Sequence, residues 1–294
     1  MESQREFKQI SPTAFNQAYM RTFYGISHAK EMAVLVGAED ERIKLYGEEL
    51  HKNLDDVPRF EARYKGGEAA LEQFIEKHQD AQVFELGAGL SLHGLTLAEK
   101  YLGIVYVETD LPDIINLKRE VIKKLVAAPP MNLYFSIANA LDVEALQKAL
   151  RITTTNRPLA IYCEGFIDYL SLKEKEALVG TIKGFLARYG GAWITPDPSV
   201  SVARRAYQVA FMTGARERTK RVEAVVGQRY DDHAFQDENA ADAFFVKNGF
   251  KIEKIAQPTV LQSFKECGIE SGMTEKIIED IRLHGRVWTM SLSG

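Results

Sequence analysis

The sequence predicts an α/β fold with one mostly parallel sheet of seven strands and helices on both faces. Through the central part of the chain, short apolar segments rich in β-branched or aromatic residues alternate with segments of helical periodicity. This alternation is typical of parallel sheets, because parallel neighbours need a crossover connection, which is usually a helix. A glycine turn follows the first predicted strand, and acidic residues end the second, as in α/β proteins that bind ligands at the carboxyl edge of the sheet.

The predicted elements alternate along most of the chain. Five strands are predicted at 82–86, 104–108, 133–137, 159–164 and 192–195. Helices are predicted at 92–101, 111–125, 143–150 and 172–188. Two later strands, 250–255 and 286–292, could close the sheet as an antiparallel pair around a helix at 274–283, and a helix is also predicted at 240–247. These assignments give a sheet of seven strands.

Two segments lie outside this alternation. Residues 13–51 are predicted to form helices after a start signal at Ser11-Pro12, and 67–78 form a further helix with Leu71 and Phe74 on its apolar face. We therefore expect an N-terminal helical cap at 1–66 and a ligand-binding domain at 67–294. A helical insertion at about 199–235 is placed to cover a ligand site as a lid.

Composition narrows the possible partners. The formal net charge is −4 and the pI about 6.0, which does not favour a nucleic-acid-binding surface. The sequence has neither an apolar run of about 20 residues nor an N-terminal secretory signal, so no membrane partner is predicted. Cys163 and Cys267 are too few for a disulfide framework and lack metal-ligand spacing, which predicts a cytoplasmic protein without a metal site.

The glycine spacing bears on the ligand. Gly87-x-Gly89 lacks the third glycine of a dinucleotide fingerprint, since Leu92 stands at that position, and no phosphate-binding loop is present. The pattern therefore favours a nucleoside without a diphosphate, and S-adenosylmethionine is the leading candidate. It disfavours a dehydrogenase. A tight turn without a ligand is the simpler alternative, but the acids at the ends of neighbouring strands favour a binding site.

Four sequence blocks carry a family resemblance. They are Phe60-Glu61-Ala62-Arg63-Tyr64, Phe84-Glu85-Leu86-Gly87-Ala88-Gly89-Leu90-Ser91, Glu108-Thr109-Asp110-Leu111-Pro112 with Lys118, and Glu164-Gly165-Phe166-Ile167-Asp168-Tyr169-Leu170. Through these blocks, between residues 58 and 198, the chain resembles class I S-adenosylmethionine-dependent methyltransferases, and within them the leucine carboxyl methyltransferase-like family. That family includes bacterial O-methyltransferases of polyketide pathways. The resemblance implies a Rossmann-like fold.

The resemblance also implies a donor-binding site. Its residues would be Arg63, Glu85, Gly87, Ala88, Gly89, Glu108, Asp110, Leu111, Asn139, Ala140 and Glu164. Arg63 would bind the methionine carboxylate, Asp110 the ribose hydroxyls, and Glu164 the amino group or the sulfonium side. Asn139 would lie next to the adenine, where the family usually has aspartate, and Ser91-Leu92-His93 replaces a common Asp-Thr pair.

Several of these residues have structural alternatives. Arg63 could be a surface arginine, and Asp110 could cap the following helix. His93 is expected to be structural rather than catalytic. Asp197 is expected to belong to a rigid loop, or alternatively to touch the substrate. The basic residues of the insertion are expected to form a solvated helix face, or alternatively to guide an anionic acceptor. They are Arg204, Arg205, Arg216, Arg218, Lys220 and Arg221.

The leading functional hypothesis is O-methylation of a small-molecule carboxylate or hydroxyl. No base stands out in the recognised blocks, which favours an acceptor that is already acidic. Tyr19, Tyr24 and Tyr169 are candidates to line the methyl-transfer chamber, where aromatic faces favour the sulfonium charge. Two alternatives stay open: methylation of a protein C-terminal carboxyl group, and donor binding without catalysis. The sequence does not predict the oligomeric state or the identity of the acceptor.

Overall fold

A seven-stranded sheet forms the centre of the protein, whose residues 12–197, 201–227 and 233–293 are described by the computed structural model. Its strands are β1 (Gln82–Leu86), β2 (Val105–Asp110), β3 (Leu133–Ile137), β4 (Leu159–Tyr162), β5 (Gly191–Thr195), β6 (Phe250–Ala256) and β7 (Arg286–Leu292). They lie in the order β3-β2-β1-β4-β5-β7-β6. Only β7 runs against its neighbours β5 and β6. The predicted mostly parallel sheet, closed by an antiparallel pairing, is confirmed.

Helices cover both faces of this sheet. They are α1 (Pro12–Arg21), α2 (Ala29–Leu35), α3 (Ala38–Leu50), α4 (Val57–Lys77), α5 (His93–Lys100), α6 (Pro112–Leu125), α7 (Val143–Ala149), α8 (Leu172–Tyr189), α9 (Ser201–Phe211), α10 (Ala215–Val226), α11 (Glu238–Lys247), α12 (Ser263–Glu266) and α13 (Ser271–His284). Successive strand residues point to opposite sides. Val83 and Ile194 therefore pack in the core that includes α4, α5 and α6, whereas Phe84 and Trp193 pack in the core that includes α7, α8 and α11.

Helix α4 is longer than the sequence predicted. The helix predicted at 67–78 begins at Val57, so that prediction was wrong by almost three turns at its start. Pro58 is compatible with the first turn of a helix, where its missing N–H has no partner to lose. Gly67 is buried, and a Cβ there would lie 2.1 Å from the Tyr162 hydroxyl, so this position requires glycine. The proposed boundary between residues 66 and 67 thus falls inside one helix.

The N-terminal helices are held together by a buried arginine. The Arg42 side chain, on α3, donates to the carbonyl oxygens of His51 (2.8 Å) and Asn53 (2.7 Å) and to the side chain of Asn16 on α1. These acceptors satisfy a guanidinium that is fully buried. The arrangement fixes α1 against α3 and thereby places α1 over the carboxyl edge of the sheet.

The insertion forms the two helices α9 and α10. Arg218 on α10 is buried and bridges Asp55, at 2.7 Å, and Asp56. The expectation of a solvated basic face is wrong for Arg218, although Arg216 and Lys220 are exposed. This ion pair joins the insertion to the start of α4. Both acids directly precede α4.

Some predicted features fall on residues that the structure does not describe. They are Ser11 of the proposed helix start, residues 198–200 and 228–232 of the insertion and its borders, and the side chain of Arg204. In the described ranges, no helix combines the length and apolar character needed to span a bilayer.

Replacing Arg218 tests the attachment of the insertion. We expect Arg218→Met to lower the free energy of unfolding by about 3–5 kcal/mol, because it leaves the buried Asp56 carboxylate without its cation. Urea denaturation measures this loss without adding salt that screens charges. The exposed Arg216→Met is the matched control, with an expected change under about 0.5 kcal/mol. Equal stability of the two variants would show that the ion pair does not stabilise the fold.

Candidate functional site

The carboxyl ends of β1, β2 and β4 open into a cavity of about 570 Å³. Its walls also include residues from α1, α4, α9 and α10, so the N-terminal helices and the insertion both cover the sheet edge. Of the predicted donor-site residues, all but one line this cavity. They are Arg63, Glu85, Gly87, Ala88, Gly89, Asp110, Leu111, Asn139, Ala140 and Glu164, and Tyr169 joins them.

The glycine turn forms the floor of the cavity next to β1. Gly87 and Gly89 have φ angles of 64° and 50°, in the left-handed region where a side chain is strained. A Cβ on Gly87 would also lie 2.9 Å from the ring of Phe166. The turn therefore requires glycine for both conformation and space, and it brings main-chain atoms to the surface of the cavity.

Asp110, at the end of β2, is hydrogen-bonded to this turn. Its carboxylate accepts hydrogen bonds from the backbone N–H groups of Gly89 and Leu111, each at 2.7 Å. Burial raises the pKa of Asp110, and the two backbone donors oppose that rise. The helix that follows has Leu111 at its N-cap position, so Asp110 does not act as the capping residue. Its oxygens keep lone pairs directed at further donors.

Glu108 is the predicted residue that does not line the cavity. It is 1% exposed, and its carboxylate lies 2.5 Å from the Lys118 ammonium, also buried. Burial raises the pKa of Glu108 to about 7, while Lys118 opposes the rise. A Cβ on Gly94 would lie 2.1 Å from the Glu108 carboxylate, which shows how tightly this pair is enclosed. A role for Glu108 as a donor ligand stays a prediction.

Glu85 lies between this buried pair and the cavity. Its carboxylate accepts hydrogen bonds from the hydroxyls of Ser91 and Tyr106, both at 2.9 Å. Lys118 in turn donates to Ser91 at 3.3 Å. Register places Glu85 beside Glu108 across β1 and β2, which explains why the two carboxylates share one hydrogen-bonded group of side chains. Ser91, two residues after Gly89, is part of it.

Glu164 is the centre of a second buried group of charges. One oxygen of its carboxylate accepts from Arg63 Nε at 3.1 Å. The other lies 3.1 Å from Nε2 of His93 and accepts from the Tyr162 hydroxyl at 3.0 Å. Burial by itself would raise the pKa of Glu164, but Arg63 and His93 outweigh it and lower that pKa to about 2. The carboxylate is therefore ionised at neutral pH.

His93 completes this group from α5. Its Nδ1 lies 3.2 Å from the Glu68 carboxylate, and its ring stacks on Tyr64 with the centroids 3.8 Å apart. Burial would lower the pKa of His93, but hydrogen bonds and charge from Glu164 and Glu68 raise it to about 9. The expected structural role fits this geometry, because the His93 imidazolium contacts the Glu164 carboxylate but does not itself line the cavity.

Asn139 and Tyr169 also line the cavity. The side-chain oxygen of Asn139 accepts from Leu141 N at 2.9 Å and keeps a second lone pair beside the two donors of its amide N–H₂. The Tyr169 hydroxyl donates to Thr13 on α1 at 3.2 Å. Tyr19 and Tyr24, proposed with Tyr169 as chamber residues, are not part of the lining. Tyr24 is instead buried in a small cluster with Tyr64.

Two further residues, Asp197 and Arg21, also line the cavity. Asp197, expected in a rigid loop, accepts from the backbone N–H groups of residues 165–167 at 2.6–3.1 Å and so shapes the turn after β4. Arg21 on α1 is buried, lines the cavity and donates to the Leu90 carbonyl oxygen at 3.0 Å. Their partners are distant in sequence, which is why spacing did not reveal them. Among the described residues, no group of histidine, cysteine and acidic side chains is suited to a metal ion.

The charges around Glu164 predict a pH dependence of stability. The His93 contribution is complete below pH 6.5 and is lost as pH rises through about 9, because its pKa is raised in the folded protein. The Glu164 contribution is present above pH 4.5 and is lost as pH falls towards 2. We expect stability to fall by roughly 1–3 kcal/mol between pH 6.5 and 9.5 through His93.

Urea denaturation between about pH 6.5 and 9.5 measures this loss of stability through His93. His93→Gln should remove the alkaline decline, since glutamine keeps hydrogen-bonding groups without the charge. His284→Gln, at an exposed position, is the control and should keep it. The same decline in His93→Gln as in the wild type would rule out the charged histidine.

Comparison with known proteins bears on the family and the fold. The leucine carboxyl methyltransferase family model matches residues 7–183. No curated protein matches the chain. A protein assigned as an O-methyltransferase from Nostoc punctiforme aligns with 96% of this chain and 68% of its own, at 12% identity and a TM-score of 0.50, and supports the fold.

Two further solved structures were compared. The magnesium protoporphyrin IX methyltransferase of Synechocystis, solved with S-adenosylhomocysteine bound, is 10% identical over 86% of this chain and 94% of its own, with a TM-score of 0.49. A protein assigned as a methyltransferase, solved with the Haloferax volcanii methyltransferase activator, is 14% identical over 82% of this chain and 97% of its own, with a TM-score of 0.47.

The family match rests on more than half of the 294 residues and includes the glycine turn, Asp110 and Glu164. The sheet has the mixed seven-stranded order described above, and its carboxyl edge carries the cavity. The chain belongs to the leucine carboxyl methyltransferase family, and it is a class I methyltransferase that uses S-adenosylmethionine.

Proposed function

We propose that the protein transfers the methyl group of S-adenosylmethionine to an oxygen of a small-molecule acceptor, with a carboxylate as the favoured group. The observation that carries this proposal is the continuity of the cavity. One space of about 570 Å³ is lined both by the carboxyl edge of the sheet and by α1, α9 and α10. A donor on the sheet edge and an acceptor under these helices would therefore share one enclosed volume.

The residues at the sheet edge fit the donor. Asp110 has lone pairs left for ribose hydroxyls, and the turn at Gly87 and Gly89 lets a nucleoside approach the backbone. The ionised Glu164 suits an ammonium group, and Arg63 beside it suits a carboxylate, which a planar guanidinium binds with two parallel hydrogen bonds. Leu111, Asn139 and Ala140 would border the adenine.

S-adenosylmethionine supplies a methyl group on a positively charged sulfur, which is already activated for transfer. The contribution required of the protein is then to hold the acceptor in line and to exclude water. Tyr169, placed between the turn after β4 and α1, is suited to this positioning role.

The scarcity of histidine in the described part of the lining favours an acidic acceptor. The described part of the lining has one histidine, His284, at the end of α13. Burial raises the pKa of Tyr207, whose hydroxyl already donates to the Asp55 carbonyl oxygen at 2.9 Å, so Tyr207 is poorly suited to act as a base. A carboxylate, with an ordinary pKa near 4, needs no base at neutral pH, whereas a phenol with a pKa of about 10 does.

A second candidate is methylation of the C-terminal carboxyl group of a protein. The description of the matching family, leucine carboxyl methyltransferase, is the observation that favours it. Both candidates use the same chemistry on a carboxylate. They differ in whether labelled methyl enters small molecules or macromolecules.

Donor binding is the first test of the site. Calorimetric titration with S-adenosylhomocysteine should show binding to the wild type, and at least tenfold weaker binding to Arg63→Ala and Asp110→Ala, since each removes a charged hydrogen-bonding group worth about 1.5–3 kcal/mol. Asp113→Asn, an exposed acid one residue into α6, is the matched control and should bind normally. Unchanged affinity in folded Arg63→Ala and Asp110→Ala would contradict the assigned roles. NADH and ATP should not bind.

The acceptor class is tested with labelled donor. Incubation with methyl-labelled S-adenosylmethionine and cell extract, split by size, should place base-labile label in the small-molecule fraction, as expected for a methyl ester. Label in the protein fraction would support the second candidate. Donor binding without transfer to either fraction would contradict both and leave a binding protein.

A further inference from the structure

His93 contacts a carboxylate with each of its two ring nitrogens. Nε2 lies 3.1 Å from Glu164, and Nδ1 lies 3.2 Å from Glu68. An ionised carboxylate only accepts hydrogen bonds, and a neutral imidazole has a single N–H. Both contacts are therefore hydrogen bonds only when both nitrogens carry a proton. This geometry requires His93 to be an imidazolium, and the ring is fully buried.

The two carboxylates differ in their access to the cavity. Glu164 lines it, with a side chain that is 8% exposed. Glu68, on α4, has a side chain that is 20% exposed and is not among the described residues of the lining. Glu68, His93 and Glu164 thus form a chain of charges that begins outside the cavity and ends at the donor site.

The other groups around His93 do not substitute for its charge. Tyr64 stacks on the ring, and the Tyr162 hydroxyl lies 3.4 Å from Nε2. Burial raises the pKa of both phenols, so both stay neutral. Glu108 on β2 is close enough for His93 to lower its pKa, but its ion-pair partner is Lys118. Glu68 and Glu164 are therefore the two acids that hold the charge on the ring.

Glu164 depends on His93 for its orientation. Arg63 Nε donates to one oxygen of its carboxylate, and His93 lies at the other. Without its second proton, the ring would donate to Glu164 or to Glu68 but not to both, and a lone pair would face the other carboxylate. Arg63 and Arg21 would still lower the pKa of Glu164. The carboxylate would then stay ionised but lose part of what orients it.

The proton on His93 affects this orientation more than the net attraction for the donor. The amino-acid end of S-adenosylmethionine carries an ammonium and a carboxylate close together. Removal of one positive charge nearby strengthens the attraction for the first and weakens that for the second, so the two effects largely cancel. The alignment of Glu164 with the ammonium does not cancel, because a hydrogen bond weakens steeply when its geometry is poor.

We propose that His93 is a positioning residue for the donor: as an imidazolium it holds Glu164 in the orientation that receives the donor's ammonium group, and Glu68 keeps the ring charged from outside the cavity. This inference deepens the proposed function and rests on its donor site. It gives His93 and Glu68 a part in donor affinity without a contact to the ligand.

NMR of protein labelled with ¹⁵N in histidine tests the charge directly. At about pH 7.5, both ring nitrogens of His93 should have the shifts of an imidazolium, whereas a histidine with the ordinary pKa of about 6.5 is mostly neutral there. Loss of the signals in His93→Gln assigns them. A neutral ring at His93 would overturn the inference.

Calorimetric titration compares two ligands that share the nucleoside. S-adenosylhomocysteine has the amino-acid end, and 5′-methylthioadenosine lacks it. His93→Gln should bind S-adenosylhomocysteine at least about tenfold more weakly than the wild type, since a charge-assisted contact is weakened, and bind 5′-methylthioadenosine within about twofold. Unchanged affinity for S-adenosylhomocysteine in folded His93→Gln would overturn the inference.

The pH profile tests the part of Glu68. The preference for S-adenosylhomocysteine over 5′-methylthioadenosine should be complete at neutral pH and fall as pH rises through about 9, the pKa of His93. In Glu68→Gln the fall should begin at least about half a pH unit lower, because one of the two acids that keep the ring charged is gone. Equal profiles of Glu68→Gln and the wild type would overturn the role of Glu68.

Two controls accompany the profile. Glu72→Gln, one turn along α4 and paired with Lys100, removes one acid from the same helix and should follow the wild type. The ammonium of the ligand also titrates at alkaline pH, and His93→Gln, which retains only that titration, gives the baseline. Glu68→Gln changes a partly exposed residue, so it also provides a folded variant if His93→Gln does not fold.

These results separate the inference from the proposed function. All of them are binding or NMR measurements, so an absence of methyl transfer in the labelling experiment leaves them unaffected. A folded His93→Gln that loses both ligands equally would show a general structural role and overturn the inference alone. Failure of the wild type to bind S-adenosylhomocysteine would overturn both.

Discussion

A single ionised carboxylate, Glu164, joins the parts of the protein that form the site. It follows β4 and contacts both Arg63 on α4 and His93 on α5. Burying it is unfavourable by itself, and it is tolerated because two cations and a tyrosine hydroxyl surround it. The same three contacts fix the relative positions of α4, α5 and the loop after β4. Much of the site geometry depends on this one charge.

The arrangement separates two kinds of buried charge. Lys118 and Glu108 neutralise each other beneath the glycine turn, away from the cavity. Arg63, Glu164 and Asp110 lie at the surface of the cavity, where each keeps hydrogen-bonding capacity beyond its contacts within the protein. The first pair supports the turn, whereas the second group is available to a ligand. Both groups lie at the carboxyl edge, where parallel strands bring distant residues together.

The sequence predicted most of the sheet because its central strands, such as β1 and β4, are buried on both sides and read as continuous apolar runs. It also located the glycine turn, since no other residue tolerates the conformation and crowding at Gly87. The start of α4 was misplaced because Pro58 and Gly67 resemble helix breakers. Their reasons are long-range: Gly67 is required by Tyr162, almost one hundred residues later. The same holds for Arg21 and Asp197, whose partners are set by folding rather than by spacing.

The position of β7 has a consequence for how the chain acquires its structure. β7 is the last strand in sequence, yet it lies between β5 and β6. During synthesis, β1 to β5 emerge first and can pair. The outer edge of β5 stays unpaired until residues 286–292 have been synthesised. An unpaired edge of this kind can pair with a strand of another molecule. We therefore expect a period in which the donor site is already formed at one side of the sheet while the other side is incomplete and prone to aggregation.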